Sequence, residues 1–289
     1  YIGTWVGGAG MGILLADVGL RGVLVLQVGV LFLLMLFPLL LRERAGEKRL
    51  PWSRGCASEE VERRAVGSTV ELARSLARAF SLRSAWLTAM IALTSSVGAL
   101  TLATAATVYF IQQLGWTQKE FSGIVGGWGT VAGLVGSLFG GFVADRLGPR
   151  KVIGPSSVLL GLAWVGFSFA EPLWQFRRGF LLPFTLVETF LMSTFSVSFF
   201  SLAMGVSWPK VAATQFTAYM AFMNISRYFG ARLAPWLGSL LAFGQIYLAM
   251  GLFQMLIILP LFFIDPRQTR RVLGGETPPD PDGEGPGGG

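Results

Sequence analysis

The sequence predicts an all-α protein that crosses a membrane several times. Three observations carry this expectation. Hydrophobic residues make up 53% of the 289 residues and charged residues only 13%, with a mean hydropathy of +0.60. A soluble domain carries about 25% charge, roughly twice as much. The apolar residues also fall into long blocks, each close to the ~20 residues a helix needs to cross the hydrocarbon core. Finally, 17 of the 23 Lys and Arg residues fall in alternate connections between those blocks, as the positive-inside rule requires. A soluble globular enzyme and a disordered chain are both excluded.

Eight stretches read as spans. The first, residues 1–16, is short and Gly-rich, as if cut at its start. The second is 23–41, after the polar break Asp17-Val18-Gly19-Leu20-Arg21. A charged segment, 42–83, follows. The remaining spans are 86–114, 121–144, 152–170, 180–206, 212–241 and 246–264. From Gly274 the chain reads GGETPPDPDGEGPGGG, acid-, Gly- and Pro-rich with almost nothing to bury, and disorder is expected there. With eight spans both termini share one side, and the 17 cations put that side in the cytoplasm of an inner membrane; the opposite side holds Arg21, Lys119, Arg177 and Arg178. Topology thus accounts for the net charge of +7, and no nucleic-acid partner is implied.

Other chemistry is ruled out by residue type. Histidine is absent and Cys56 is the single cysteine. No His-based catalytic pair, disulfide or Cys-cluster metal site can form within the chain, and no cofactor is implied. Within residues 58–80, Val61, Ala65, Leu72, Leu76 and Phe80 recur at helical spacing, with Arg63, Arg64, Glu71, Arg74 and Arg78 opposite. The i,i+4 pairs Glu59/Arg63 and Glu60/Arg64 support that helix. It can lie on the inner membrane surface or simply link two bundles.

The loop after the fourth span reads Gly141-Phe-Val-Ala-Asp145-Arg146-Leu147-Gly148-Pro149-Arg150-Lys151. It resembles the major facilitator superfamily loop Gly-x-x-x-Asp-Arg-x-Gly-Arg-Lys. Gly141 allows close helix approach, Asp145 can accept from Arg146 or a neighbouring helix N-terminus, Gly148 permits the reversal, and Arg150 and Lys151 begin the next helix. Pro149 departs from the pattern by displacing the basic pair one place. Three further stretches resemble the AmpG-type muropeptide permeases and their relatives in the peptide–acetyl-coenzyme A–drug transporter family. These are Gly7-Gly8-Ala9 through Asp17, Gln113 through Phe121, and Ala213 through Ala218 leading to Arg227.

The resemblance implies a major facilitator fold of two six-helix halves. Residues 1–41 then supply the last two helices of the N-terminal half, 42–83 the cytoplasmic linker, 84–265 the complete C-terminal half, and 266–289 a disordered tail. On that template the N-terminal helices of the same transporter are missing, and residues 1–289 alone should not transport.

Ionisable residues deep in a span are costly and usually face a cavity. Glu188, Arg227 and Arg232 are the three deep ones here. By helix rise, Glu188 lies about 12 Å and Arg232 about 13–14 Å from the outer surface, so antiparallel neighbours could place them together. Asn224, Arg227, Tyr228 and Arg232 fall within about 140° of arc at 100° per residue, one polar face. Arg227 or Arg232 could bind an anionic group while Glu188 carries a proton. Alternatively, Glu188 and an arginine form a fixed pair that only joins helices. Gln112 and Gln113, near the outer end of span three, are further candidates. The Ser and Thr residues of that span can bond back to their own helix carbonyls. The stripe Gly129, Gly133, Ser137, Gly141 suits close helix packing. The resemblance implies a secondary transporter of the major facilitator type, working by alternating access, with a muropeptide as solute. The residues themselves supply a small polar, anionic solute and, in Glu188, a group for proton coupling. The alternative is a non-transporting member of the same fold that assembles or delivers another membrane complex. No nucleophile–base or metal constellation supports an enzyme.

Overall fold

Long apolar stretches become helices here because a helix satisfies every backbone N–H and C=O internally, which the lipid interior cannot do. The computed structural model describes residues 11–40 and 69–273, and all their regular elements are helical. We number them α1 (Met11–Leu40), α2 (Thr69–Phe80), α3 (Arg83–Thr94), α4 (Val97–Val108), α5 (Gln118–Ser122), α6 (Gly129–Leu147), α7 (Pro149–Phe169), α8 (Glu171–Phe176), α9 (Leu181–Val206), α10 (Ala212–Leu240), α11 (Phe243–Leu256), α12 (Ile258–Leu261) and α13 (Gln268–Leu273). Among the described residues five continuous helical runs are long and apolar enough to cross a membrane: Arg83–Gln113, Gln118–Leu147, Pro149–Phe169, Leu181–Val206 and Phe243–Leu261. The 29-residue α10 is equally long but carries Arg227 and Arg232. Together these are the last six expected spans, with ends shifted by a few residues.

Two runs change helical pitch. A π-turn at Tyr109–Gln113 ends the first, and another at Gly123–Trp128 interrupts the second. The chain between them reverses at Gly115, whose φ is +66°. Thr117 then starts α5 with a capping box. Its hydroxyl accepts from Glu120 N–H at 3.2 Å, and Glu120 Oε2 accepts from Thr117 N–H at 3.0 Å. At the far end of that run Gly148, φ +88°, makes the reversal into α7, which opens with Pro149 at its first turn.

Helix pairs meet through small residues. A Cβ on Gly136 would collide with Phe190 O, and one on Gly140 would stand 2.8 Å from Thr194 Cα. Thr194 Oγ1 donates to Gly136 O at 3.0 Å across the same seam. The close approach of α6 to α9 therefore runs through Gly129, Gly136 and Gly140, with Gly133 buried on the same face, so the expected Gly129, Gly133, Ser137, Gly141 stripe holds in its first half and shifts to Gly136 and Gly140 in its second. The reason is that both backbones press together one helical position away, and Gly141 meets only Val197 Cγ1 at 3.7 Å. Gly161 of α7 and Gly251 of α11 face each other in the same manner. On α10, Gly230 lies against Val97, and Thr101 Oγ1 donates to Gly230 O at 3.0 Å.

The helix ends fall into two sets. Ser84, Arg150, Val206, Leu261 and Thr269 are tied together at one end. Asp265 N–H donates to Ser84 Oγ, Thr269 Oγ1 donates to Val206 O, and Arg150 Nη2 donates to Leu261 O. This is the cation-rich end. α2 docks there: Ala79, Leu72 and Leu76 pack with Trp208, Val211 and Leu273. Protein, not open membrane surface, thus covers its apolar face. Glu59/Arg63 and Glu60/Arg64 lie outside the described residues. Residues 268–273, assigned to a disordered tail from sequence, form α13 because Leu273 is buried in this cluster. The first expected span lies mostly outside the described residues. Its end, residues 11–16, runs into α1, and the polar break shrinks to Gly19, φ +72° and ψ +170°.

Candidate functional site

α10 presents two opposite faces. One is a buried stripe of Gln215, Tyr219, Met223, Ser226, Gly230, Ala234 and Leu237, spaced three or four residues apart. It packs on α3 and α4. Polar bonds fix its register: Ser226 Oγ accepts from Ser96 N–H at 3.0 Å, and Tyr219 Oη donates to Ala85 O at 3.3 Å. The other face carries Asn224, Arg227, Tyr228 and Arg232, all exposed. Neither arginine makes an ion pair among the described residues. Two guanidinium groups in mid-helix cannot rest in hydrocarbon without large cost. This face therefore belongs against water or another polar surface.

Glu188 is placed differently. It lies on α9 and its Oε1 accepts from Trp164 Nε1 of α7 at 2.7 Å. Trp164 is fully buried and also lies against Gly98 of α4, 3.0 Å from the position of a Cβ there. Glu188 is therefore joined to α7 and, through the indole, to α4. It makes no ion pair with Arg227 or Arg232 among the described residues. The expected Glu–Arg pairing is replaced by a Glu–Trp hydrogen bond, because α9 packs on α6 and α7 while α10 packs on α3 and α4. Trp164 was missed from sequence because it groups with the tryptophans that anchor span ends. Its mid-span position, 15 residues after Pro149, is the available signal.

The far end of the bundle holds a cavity of about 660 Å³ between α4, α10 and α11. Thr104, Tyr109, Gln113, Glu171 and Phe243 line it, and the rings of Tyr109 and Phe243 stack at 4.0 Å. Gln113 faces this space, whereas Gln112 is exposed beside it on the π-turn and does not line it. Thr88, Thr94, Thr104 and Thr107 of α3 and α4 do bond back into their own helices. Thr101 does so too while bridging to α10.

In the loop at the cation-rich end, Gly141 is half-buried and Gly148 makes the turn. The Arg146 guanidinium lies 4.2 Å over the Phe142 ring. Arg150 Nη2 caps the last carbonyls of the bundle, Leu261 O at 3.1 Å and Phe262 O at 3.3 Å. Asp145 and Lys151 are exposed, and Asp145 takes no partner among the described residues.

A bundle of membrane-length apolar helices defines a multi-pass membrane protein. The chain belongs to the major facilitator superfamily, whose family model matches residues 88–284. Comparison with curated proteins and with solved structures returns no match.

Proposed function

We propose that this chain works in a proton-coupled secondary transporter that moves an anionic solute by alternating access, with a carboxylate-bearing cell-wall muropeptide as the solute class. The basic end is assigned to the cytoplasm of an inner membrane. The observation that carries this reading is the exposed Asn224–Arg227–Tyr228–Arg232 face of α10. Guanidinium groups bind carboxylate and phosphate through paired N–H donors. No acid of the described residues neutralises these two, so the face favours an anion. Glu188 serves as the proton carrier: it has one hydrogen-bond donor and no cation partner among the described residues. Its protonation and release would reach α7 and α4 through Trp164.

Uptake of labelled anhydro-muropeptide tests this reading. The host cells lack their own permease and express residues 1–289 within their natural reading frame. Arg227→Gln and Arg232→Gln should each lower uptake, and together abolish it. Glu188→Gln and a proton uncoupler should each collapse it. Uptake that survives Glu188→Gln would reduce Glu188 to a helix pin. No uptake by well-expressed protein would remove the muropeptide assignment.

A further inference from the structure

A groove of about 640 Å³ opens at the cation-rich end between α7 and α12, away from the polar face of α10. Its walls are apolar, built by Leu147, Gly154, Pro155, Ile258, Leu261 and Phe262. Leu147 and Phe262 stand at its mouth, 56% and 68% exposed. Two cations also line it, Arg150 and Lys151. Arg150 is held in place by its bonds to Leu261 O and Phe262 O, which engage Nη2 and leave Nη1 and Nε. Lys151 is exposed and makes no ion pair among the described residues. Among the described residues no acid lines the groove. The nearest carboxylates in sequence are Asp145, which is exposed at the end of α6, and Asp265, which pairs with Arg271 at 3.5 Å and accepts from Arg267 N–H.

We infer that this groove holds an anionic phospholipid, its phosphate on Arg150 and Lys151 and an acyl chain along Pro155, Ile258 and Leu261. Three features select that occupant. The groove lies where α7 begins and the α11–α12 run ends, at the level of the headgroups of a membrane those helices cross. Two cations without a counter-charge favour an anionic headgroup over a zwitterionic one. A free phosphate ester would leave the apolar walls in water, whereas an acyl chain covers them.

Native mass spectrometry of the full chain in mild detergent tests this, with phosphatidylglycerol and phosphatidylcholine added separately. Phosphatidylglycerol should be retained at one per chain, and phosphatidylcholine much more weakly. Lys151→Gln should weaken phosphatidylglycerol retention about fivefold, the value of one cation near an anionic lipid surface. Lys151→Arg, which keeps the charge, should bind like the parent. Lys210→Gln, at the same end but outside the groove, should leave retention unchanged. Equal retention of the two lipids, or full retention by Lys151→Gln, would overturn the inference. Displacement of the lipid by soluble glycerol phosphate would also overturn it, by showing a site for a free phosphate ester.

Discussion

The bond from Trp164 to Glu188 sets what each residue can be replaced by. The indole donates and the carboxyl oxygen accepts, at 2.7 Å. Trp164→Phe keeps an aromatic ring but removes the donor, so a half-buried carboxyl loses its partner. Leaving such a group unsatisfied costs about 1–3 kcal/mol. Glu188→Gln keeps an accepting oxygen at the same place and should change stability little. In detergent, thermal unfolding should therefore fall clearly for Trp164→Phe and stay near the parent for Glu188→Gln. Equal losses in both would mean that the contact is packing rather than a hydrogen bond. The result also frees the uptake assay from ambiguity. A Glu188→Gln protein that melts normally but does not transport has lost chemistry, not fold.

Helix seams follow the same reasoning one level up. Gly140 has Thr194 Cα 2.8 Å from where its Cβ would be, while Gly166 on α7 has open space there. Gly140→Ala must push α6 away from α9 and should cost about 1–3 kcal/mol, as overpacking does. Gly166→Ala should be neutral or slightly stabilising, because it lowers the entropy of the unfolded chain without strain. Thermal melts of the two variants in detergent should separate them, and equal melts would mean the seam relaxes freely. Span positions and their alternation were legible in the sequence, because runs such as 152–170 and 180–206 have the composition and length that lipid demands. So was the turn at Gly148, which joins a helix end, a φ only glycine tolerates well, and a following Pro149. The partner of Glu188 was not legible. Depth along two antiparallel helices can be counted from sequence, but the direction in which each side chain points depends on how α9 and α10 rotate against their neighbours. The glycine seam kept Gly129 and Gly133 but slipped by one position at Ser137 and Gly141 for the same reason. Several small residues share one side of α6, and only the crossing with α9 decides which of them touch.

At the scale of the whole molecule, the strongest unmeasured consequence is orientation. Tethers such as Thr269 to Val206 and Arg150 to Leu261 gather alternate helix ends on one side. That side carries Arg83, Arg146, Arg150, Lys151, Lys210, Arg267 and Arg271, against Lys119, Arg177 and Arg178 on the other. By the positive-inside rule such an imbalance near span ends predicts that the basic side lies in the cytoplasm, because cations are retained there during insertion. The single cysteine makes the test simple. Cys56 belongs to residues 42–83, the segment that leads into α3 at the basic end. A membrane-impermeant maleimide should label Cys56 in inside-out vesicles and spare it in intact spheroplasts. A cysteine placed at Gln175, in the opposite connection near Arg177, should show the reverse pattern in a Cys56→Ser background. If Cys56 is labelled from outside, the basic end faces away from the cytoplasm. The α7–α12 groove would then meet the outer leaflet, and a protonated Glu188 would have to discharge in the opposite direction. Both the direction of transport and the leaflet that supplies the bound lipid therefore hang on this labelling.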